Sequence, residues 1–182
     1  MLYSDQDIKI AGDKPSKDIQ QNISKKAEEK TLSKAQIKAA KELGRTIARR
    51  FAADAEKFSS ADETEDFDML LQRRLLLSFT ATVGFEQYCG DDALSGMAQK
   101  SFLDTLKKEN AELYGSSADT GAFSFYYLAY RRGSEIDRRM GQTFAMLCSH
   151  DGDPVYQELG EALYCWFISV VRKTAAELGL TD

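Results

Sequence analysis

Residues 67–88 read FDMLLQRRLLLSFTATVGFEQY, a run in which apolar side chains fall almost all round a helix instead of along one face. Met69, Leu70, Leu71, Leu75, Leu76, Leu77, Phe79, Val83 and Phe85 leave it no polar side, and such a helix is stable only when neighbours surround it. The segment therefore predicts a central helix, and the rest of the chain has to supply its cover.

The cover is predicted to be helical too. Pro15 and Pro154 are the only prolines, so helices can run long between them, and no stretch alternates with period two for long enough to suggest a strand. No repeat of solenoid period occurs. The expected fold is an all-α bundle of six or seven helices, with residues 33–182 as a single domain whose core rests on 67–88 and 155–178. Residues 1–32 are expected to form a flexible arm, with a loosely attached helix after Pro15 whose thin apolar face is Ile19, Ile23 and Ala27.

Local signals punctuate the chain. Ser33-x-x-Gln36 is a capping box opening a helix to about Phe58, and Ser60-x-x-Glu63 is a second one, followed by the acidic run Asp62 to Asp68 that suits an electropositive helix start. Gly90 suits a left-handed stop, with an Asp to cap the next helix, expected over about 92–113 with Leu94, Ala98, Phe102, Leu106 and Leu113 inward. A short aromatic helix then covers AFSFYYLAYRRG, and Ser134 is expected to cap one carrying Ile136, Met140, Phe144 and Leu147. Asp153 before Pro154 is a strong start signal for a last helix that Gly179 ends. Its stripe of Val155, Leu159, Leu163, Trp166, Val170 and Leu178 is widened by Tyr156, Tyr164, Phe167 and Val171 to about half the circumference. A stripe so wide needs two neighbours or a second copy, and a homodimer is expected.

Composition narrows the class. A chain of 182 residues suits one domain, and its longest apolar stretch, 159–171, is broken by Gly160, Glu161 and Ser169, so no membrane-spanning helix is expected. The opening MLYSDQDIKIAGDK carries charges throughout and no apolar signal core, which suggests a cytoplasmic protein. Cys89, Cys148 and Cys165 are odd in number and set among Phe, Tyr, Leu and Trp, as buried reduced thiols are.

The charge layout offers a candidate surface. Residues 1–57 hold 13 of the 24 basic side chains and 9 of the 29 acidic ones, although the whole chain carries a net charge of −5. On the helix from Ser33, Lys34, Lys38, Lys41, Arg45 and Arg49 recur at helical spacing and make a basic stripe about 100° wide beside the apolar one. These five residues are the candidate partner-binding set. Nucleic acid is disfavoured: the pI is about 5.1, no aromatic residues interleave for base stacking, and no helix-turn-helix surrounds the stripe. A short link to the next helix is expected to set Arg49 and Arg50 near the acidic residues 62–68 as internal partners.

A second candidate is a ligand pocket. Glu86 shares a helical face with Leu75, Phe79 and Val83 and is expected to point inward, where a carboxylate has to be paired or protonated. Tyr126, Tyr127, Tyr130 and Arg131, in a segment with the doublets Arg131–Arg132 and Arg138–Arg139, can supply phenol and guanidinium groups to an anionic small molecule. Pairing of those arginines with Glu135 and Asp137 is the competing use.

Catalytic motifs are missing. His150 is the sole histidine, which excludes the Glu-x-x-His pairs of di-iron bundles and histidine-rich zinc sites. SHDGDP has neither the glycine nor the terminal glutamate of a calcium loop, and no glycine-rich phosphate loop, Gly-x-Ser-x-Gly elbow or Cys-x-x-Cys is present. No metal or cofactor is expected. The sequence points to a non-enzymatic, homodimeric interaction or regulatory module; the alternative is a sensor-like domain binding a small molecule near Glu86 and residues 126–139.

Overall fold

A computed structural model describes residues 32–59, 67–117 and 120–181. Among the described residues the chain forms seven helices and no strand: α1 Lys34–Ser59, α2 Phe67–Tyr88, α3 Asp92–Glu109, α4 Ala111–Ser117, α5 Thr120–Tyr130, α6 Ile136–Leu147 and α7 Pro154–Glu177. The compact unit is Ser33–Asp182, and it is the all-α bundle expected. The expected arm with its helix after Pro15, and the capping box at Ser60 with the acidic residues 62–66, lie outside the described residues.

The all-round apolar segment becomes the centre. α2 packs against every other described helix, and Leu75, Leu76, Leu77, Phe79, Val83 and Phe85 are buried on all its sides. Thr80 is buried as well, and its hydroxyl donates to the Leu76 carbonyl at 2.7 Å, so that polar group is satisfied within its own helix.

Most helix ends follow the local chemistry. The Ser33 backbone N–H donates to Gln36 Oε1 at 3.0 Å while the Gln36 N–H donates to Ser33 Oγ at 3.1 Å, which closes the capping box. Gly90 and Gly179 take positive φ, and Asp91 and Asp153 accept from the Ala93 and Val155 N–H groups at 2.8 Å.

Two boundaries differ from expectation. The helix expected over 92–113 breaks at Asn110, whose backbone N–H donates back to the Leu106 carbonyl while its side chain accepts from the Leu113 N–H at 3.0 Å. An Asn can bond locally and so ends one helix while starting another, here α4. Ser134 is not the cap of α6. Glu135 precedes that helix at φ 49° without a side-chain cap, and the Ser134 carbonyl instead accepts from Arg139 Nε at 2.7 Å.

The short link makes α1 and α2 neighbours, while α1 lies chiefly along α3. Gly44 permits this: a Cβ there falls on the Ala98 carbonyl, so the two backbones approach as only glycine allows. The same device joins α6 to α7, where Gly141 meets the Gln157 carbonyl and Gly160 meets Phe144.

The last helix divides its apolar half-circumference. Leu163, Tyr164, Phe167 and Val171 are buried against the bundle, whereas Val155 and Trp166 remain 68% and 44% exposed. Cys89 and Cys148 are buried free thiols as expected; Cys165 is free but exposed, because it lies on the outer flank of this helix.

Candidate functional site

The expected basic stripe splits along α1. Lys34 and Lys38 are exposed on its first two turns, while Lys41, Arg45 and Arg49 line a groove of about 500 Å³ where α1 meets α3. From α3 the groove receives Lys100 and Lys108, together with Ser101, Asp104, Thr105 and Glu109. Five basic side chains thus meet two acidic ones, in a chain whose net charge is negative.

The α1–α3 contact builds this groove directly. Ser101 Oγ donates to the Lys41 carbonyl at 2.8 Å, pinning α3 to α1 at the groove floor. Arg45 Nη2 donates to Glu42 Oε2 at 2.6 Å, and that bond holds the Glu42 carboxyl below its usual range. Arg49 Nη2 pairs with Glu109 Oε1 at 3.2 Å across the two helices, which raises the Arg49 pKa further. Arg49 therefore pairs with α3, the helix at its side, while residues 62–66 of the acidic run expected near it lie outside the described residues. Lys41, Lys100 and Lys108 form no ion pair among the described residues. They are the groove's available positive charge. The two α3 lysines were not in the sequence-derived set; their partnership with Lys41 becomes visible only once α3 lies on α1.

The second candidate is only partly assembled. Glu86 is exposed, not inward, although Val83, Phe85 and Cys89 around it are buried, so its carboxylate keeps its water. Tyr127 reaches it, its hydroxyl donating to Glu86 Oε1 at 3.5 Å. Partial burial and that carboxylate both push the Tyr127 phenol pKa up. Tyr130 accepts from Gln87 Nε2 at 2.6 Å, and Arg131 stays exposed. Tyr126 turns the other way: it is fully buried, stacks on Phe79 at 5.4 Å between ring centroids, and its hydroxyl has no partner among the described residues. Glu86 and Tyr127 are thus together, while Tyr126 and Arg131 belong to the core and the solvent. Arg138 pairs with Glu135 at 3.5 Å, the competing use expected of the arginines in this segment.

A cleft of about 570 Å³ opens beside Tyr127, lined by Thr82, Gln99, Leu103, Ser117, Phe123 and Ser124. Gln99 Oε1 and Ser117 Oγ are buried at its wall without hydrogen-bond partners among the described residues. Nothing in the sequence pattern singles those two residues out, since each is an isolated polar side chain on an amphipathic helix.

Among the described residues no group of His, Cys, Asp and Glu has the geometry to hold a metal ion, and no helix is long and apolar enough to cross a membrane. His150 stacks on Tyr156 at 3.8 Å between ring centroids, joining the loop before α7 to its first turn. Comparison with protein-family models, curated protein sequences and solved structures returns no match for this chain.

Proposed function

We propose that the chain is a non-enzymatic, cytoplasmic interaction module that works as a homodimer and takes an acidic segment of a partner protein into the groove between α1 and α3. The observation that carries the reading is the meeting of Lys41, Lys100 and Lys108, none of them in an ion pair among the described residues, around a recess in a molecule of net negative charge. An acidic peptide gains charge-assisted hydrogen bonds there, and the negative remainder of the surface repels it elsewhere.

The test is fluorescence anisotropy of a fluorescein-labelled oligoglutamate titrated with the full chain. Binding that weakens as salt rises and is lost in Lys41→Glu/Lys100→Glu/Lys108→Glu, while the circular dichroism stays helical, supports the groove. Equal binding by the charge-reversed variant removes it.

A second reading is favoured by one observation, the orphaned Gln99 Oε1 and Ser117 Oγ at the cleft beside Tyr127. Buried polar groups are normally satisfied, so a small neutral molecule with its own donor and acceptor fits that wall. Native mass spectrometry of gently purified chain tests it. A retained small mass that Gln99→Leu releases supports the cleft, and a bare chain under the same conditions counts against it.

A further inference from the structure

Val155, Leu159, Ala162, Trp166 and Val170 recur every three or four residues along α7, and therefore share an arc of about 80°. Val155, Ala162 and Trp166 on this stripe are exposed, and Leu159 and Val170 are half-buried. A continuous apolar line centred on a tryptophan is unusual on a free surface, and tryptophan is enriched at the buried centres of interfaces. Two hollows flank Trp166 where α1 runs past: one of about 360 Å³ shared with Phe58, Leu159 and Leu163, the other of about 190 Å³ shared with Arg50 and Val170. These are sockets for side chains from a facing helix.

Charge along the same helix indicates what faces it. The first half of α7 carries Glu158 and Glu161, the second half carries Arg172 and Lys173 with Glu177 as its last residue, and no charged residue lies between Glu161 and Arg172. Glu158 flanks the stripe and Lys173 continues it, with Trp166 roughly midway. A second copy laid antiparallel brings Glu158 of each chain level with Lys173 of the other and Trp166 near Trp166. That is the reciprocity an isologous two-fold contact requires. A parallel copy instead sets glutamate on glutamate and lysine on lysine, so the charges select the antiparallel arrangement.

We propose that the exposed α7 stripe joins two copies of this chain about a two-fold axis beside Trp166, with the two α7 helices antiparallel and Glu158 of each paired with Lys173 of the other. The inference rests on the homodimer part of the reading above and is independent of the basic groove, which lies on the side of α1 that faces α3. Phe125 and Leu128 on α5 are exposed too, but they form an isolated pair without a charge pattern of this kind.

Trp166 is the only tryptophan in the chain, so its emission reports this surface alone. The experiment is a dilution series of the full chain followed by sedimentation velocity and tryptophan fluorescence in parallel. Twice the chain mass is expected at high concentration, with an emission maximum that moves to the red on dilution in step with dissociation. Glu158→Lys and Lys173→Glu are each expected to weaken the dimer about tenfold or more, and the two together in one chain to restore it. Both residues are exposed, so the variants are expected to fold, which circular dichroism checks. A monomer at every concentration overturns the homodimer reading together with this inference. A dimer whose Trp166 emission ignores dilution, or whose affinity ignores the single reversals, overturns the α7 assignment and leaves the homodimer standing.

Discussion

The Arg73 guanidinium grips the Asp54 carboxylate with two bonds, Nη2 to Oδ1 at 2.8 Å and Nε to Oδ2 at 3.0 Å, and the two side chains are only 10% and 11% exposed. This buried fork ties α1 to α2, and the Phe58 ring covers the guanidinium at 3.9 Å. Removing one member leaves an uncompensated buried charge. Asp54→Ala is expected to cost about 3–5 kcal/mol, measured by urea unfolding, and Asp54→Leu/Arg73→Met much less than that single change.

Gly44 sets the spacing of α1 on α3, with the Ala98 carbonyl in the place a Cβ would occupy. Gly44→Ala is expected to destabilise by about 1–3 kcal/mol despite the better helix propensity of alanine, since the obstacle is backbone and cannot rotate away. By forcing the helices apart it is also expected to lower oligoglutamate affinity, although no groove charge has changed. Gly96, which has open space where a Cβ would stand, is the control: Gly96→Ala is expected to be neutral or slightly stabilising.

Tyr126 holds a hydroxyl in the core without a partner among the described residues, and burial pushes its pKa far above the usual phenol value, with the neighbouring Cys148 thiol adding to the shift. An unpaired buried hydroxyl costs free energy that its removal recovers. Tyr126→Phe is therefore expected to unfold at higher urea, by about 1 kcal/mol, and to leave oligoglutamate binding unchanged. A loss of stability in this variant implies a hydroxyl partner supplied by a slightly rearranged core.

The thiols separate by exposure. Burial raises the Cys89 pKa from about 9 to about 11; partial burial, with Asp137 and Glu161 nearby, raises that of Cys165 too, but its side chain is open to solvent. Ellman's reagent is expected to modify Cys165 promptly in the native chain and to reach Cys89 and Cys148 only after denaturation. The folded state keeps the Cys89 proton longer than the unfolded state does. Its contribution to stability is full below pH 9 and is lost between about pH 9 and 11, by about 2–3 kcal/mol. Cys89→Ala is expected to flatten that alkaline decline in a urea titration across pH.

The helical class, the central place of residues 67–88 and most helix ends were legible in the sequence alone. They depend on interactions within a few residues: the reciprocal bonds of Ser33 and Gln36, the cap of Asp153 before Pro154, the positive φ of Gly90, and an apolar run that no solvent-facing helix can carry. The tertiary structure decided what lies beside what. The basic stripe of α1 became a groove because Gly44 admits α3, which brings Lys100 and Lys108 to Lys41; helical periodicity shows which residues share a face and not which helix that face meets. Glu86 shares a helical face with core residues yet lies in the solvent, and Tyr126, five residues before the exposed Arg131, lies in the core. The broad stripe of α7 was visible as a pattern, but its division into a covered half and an exposed line through Trp166 follows from which side of α7 packs on α2 and α6. Local bonding and periodicity reside in neighbouring residues, whereas burial depends on helix packing between residues far apart in the chain.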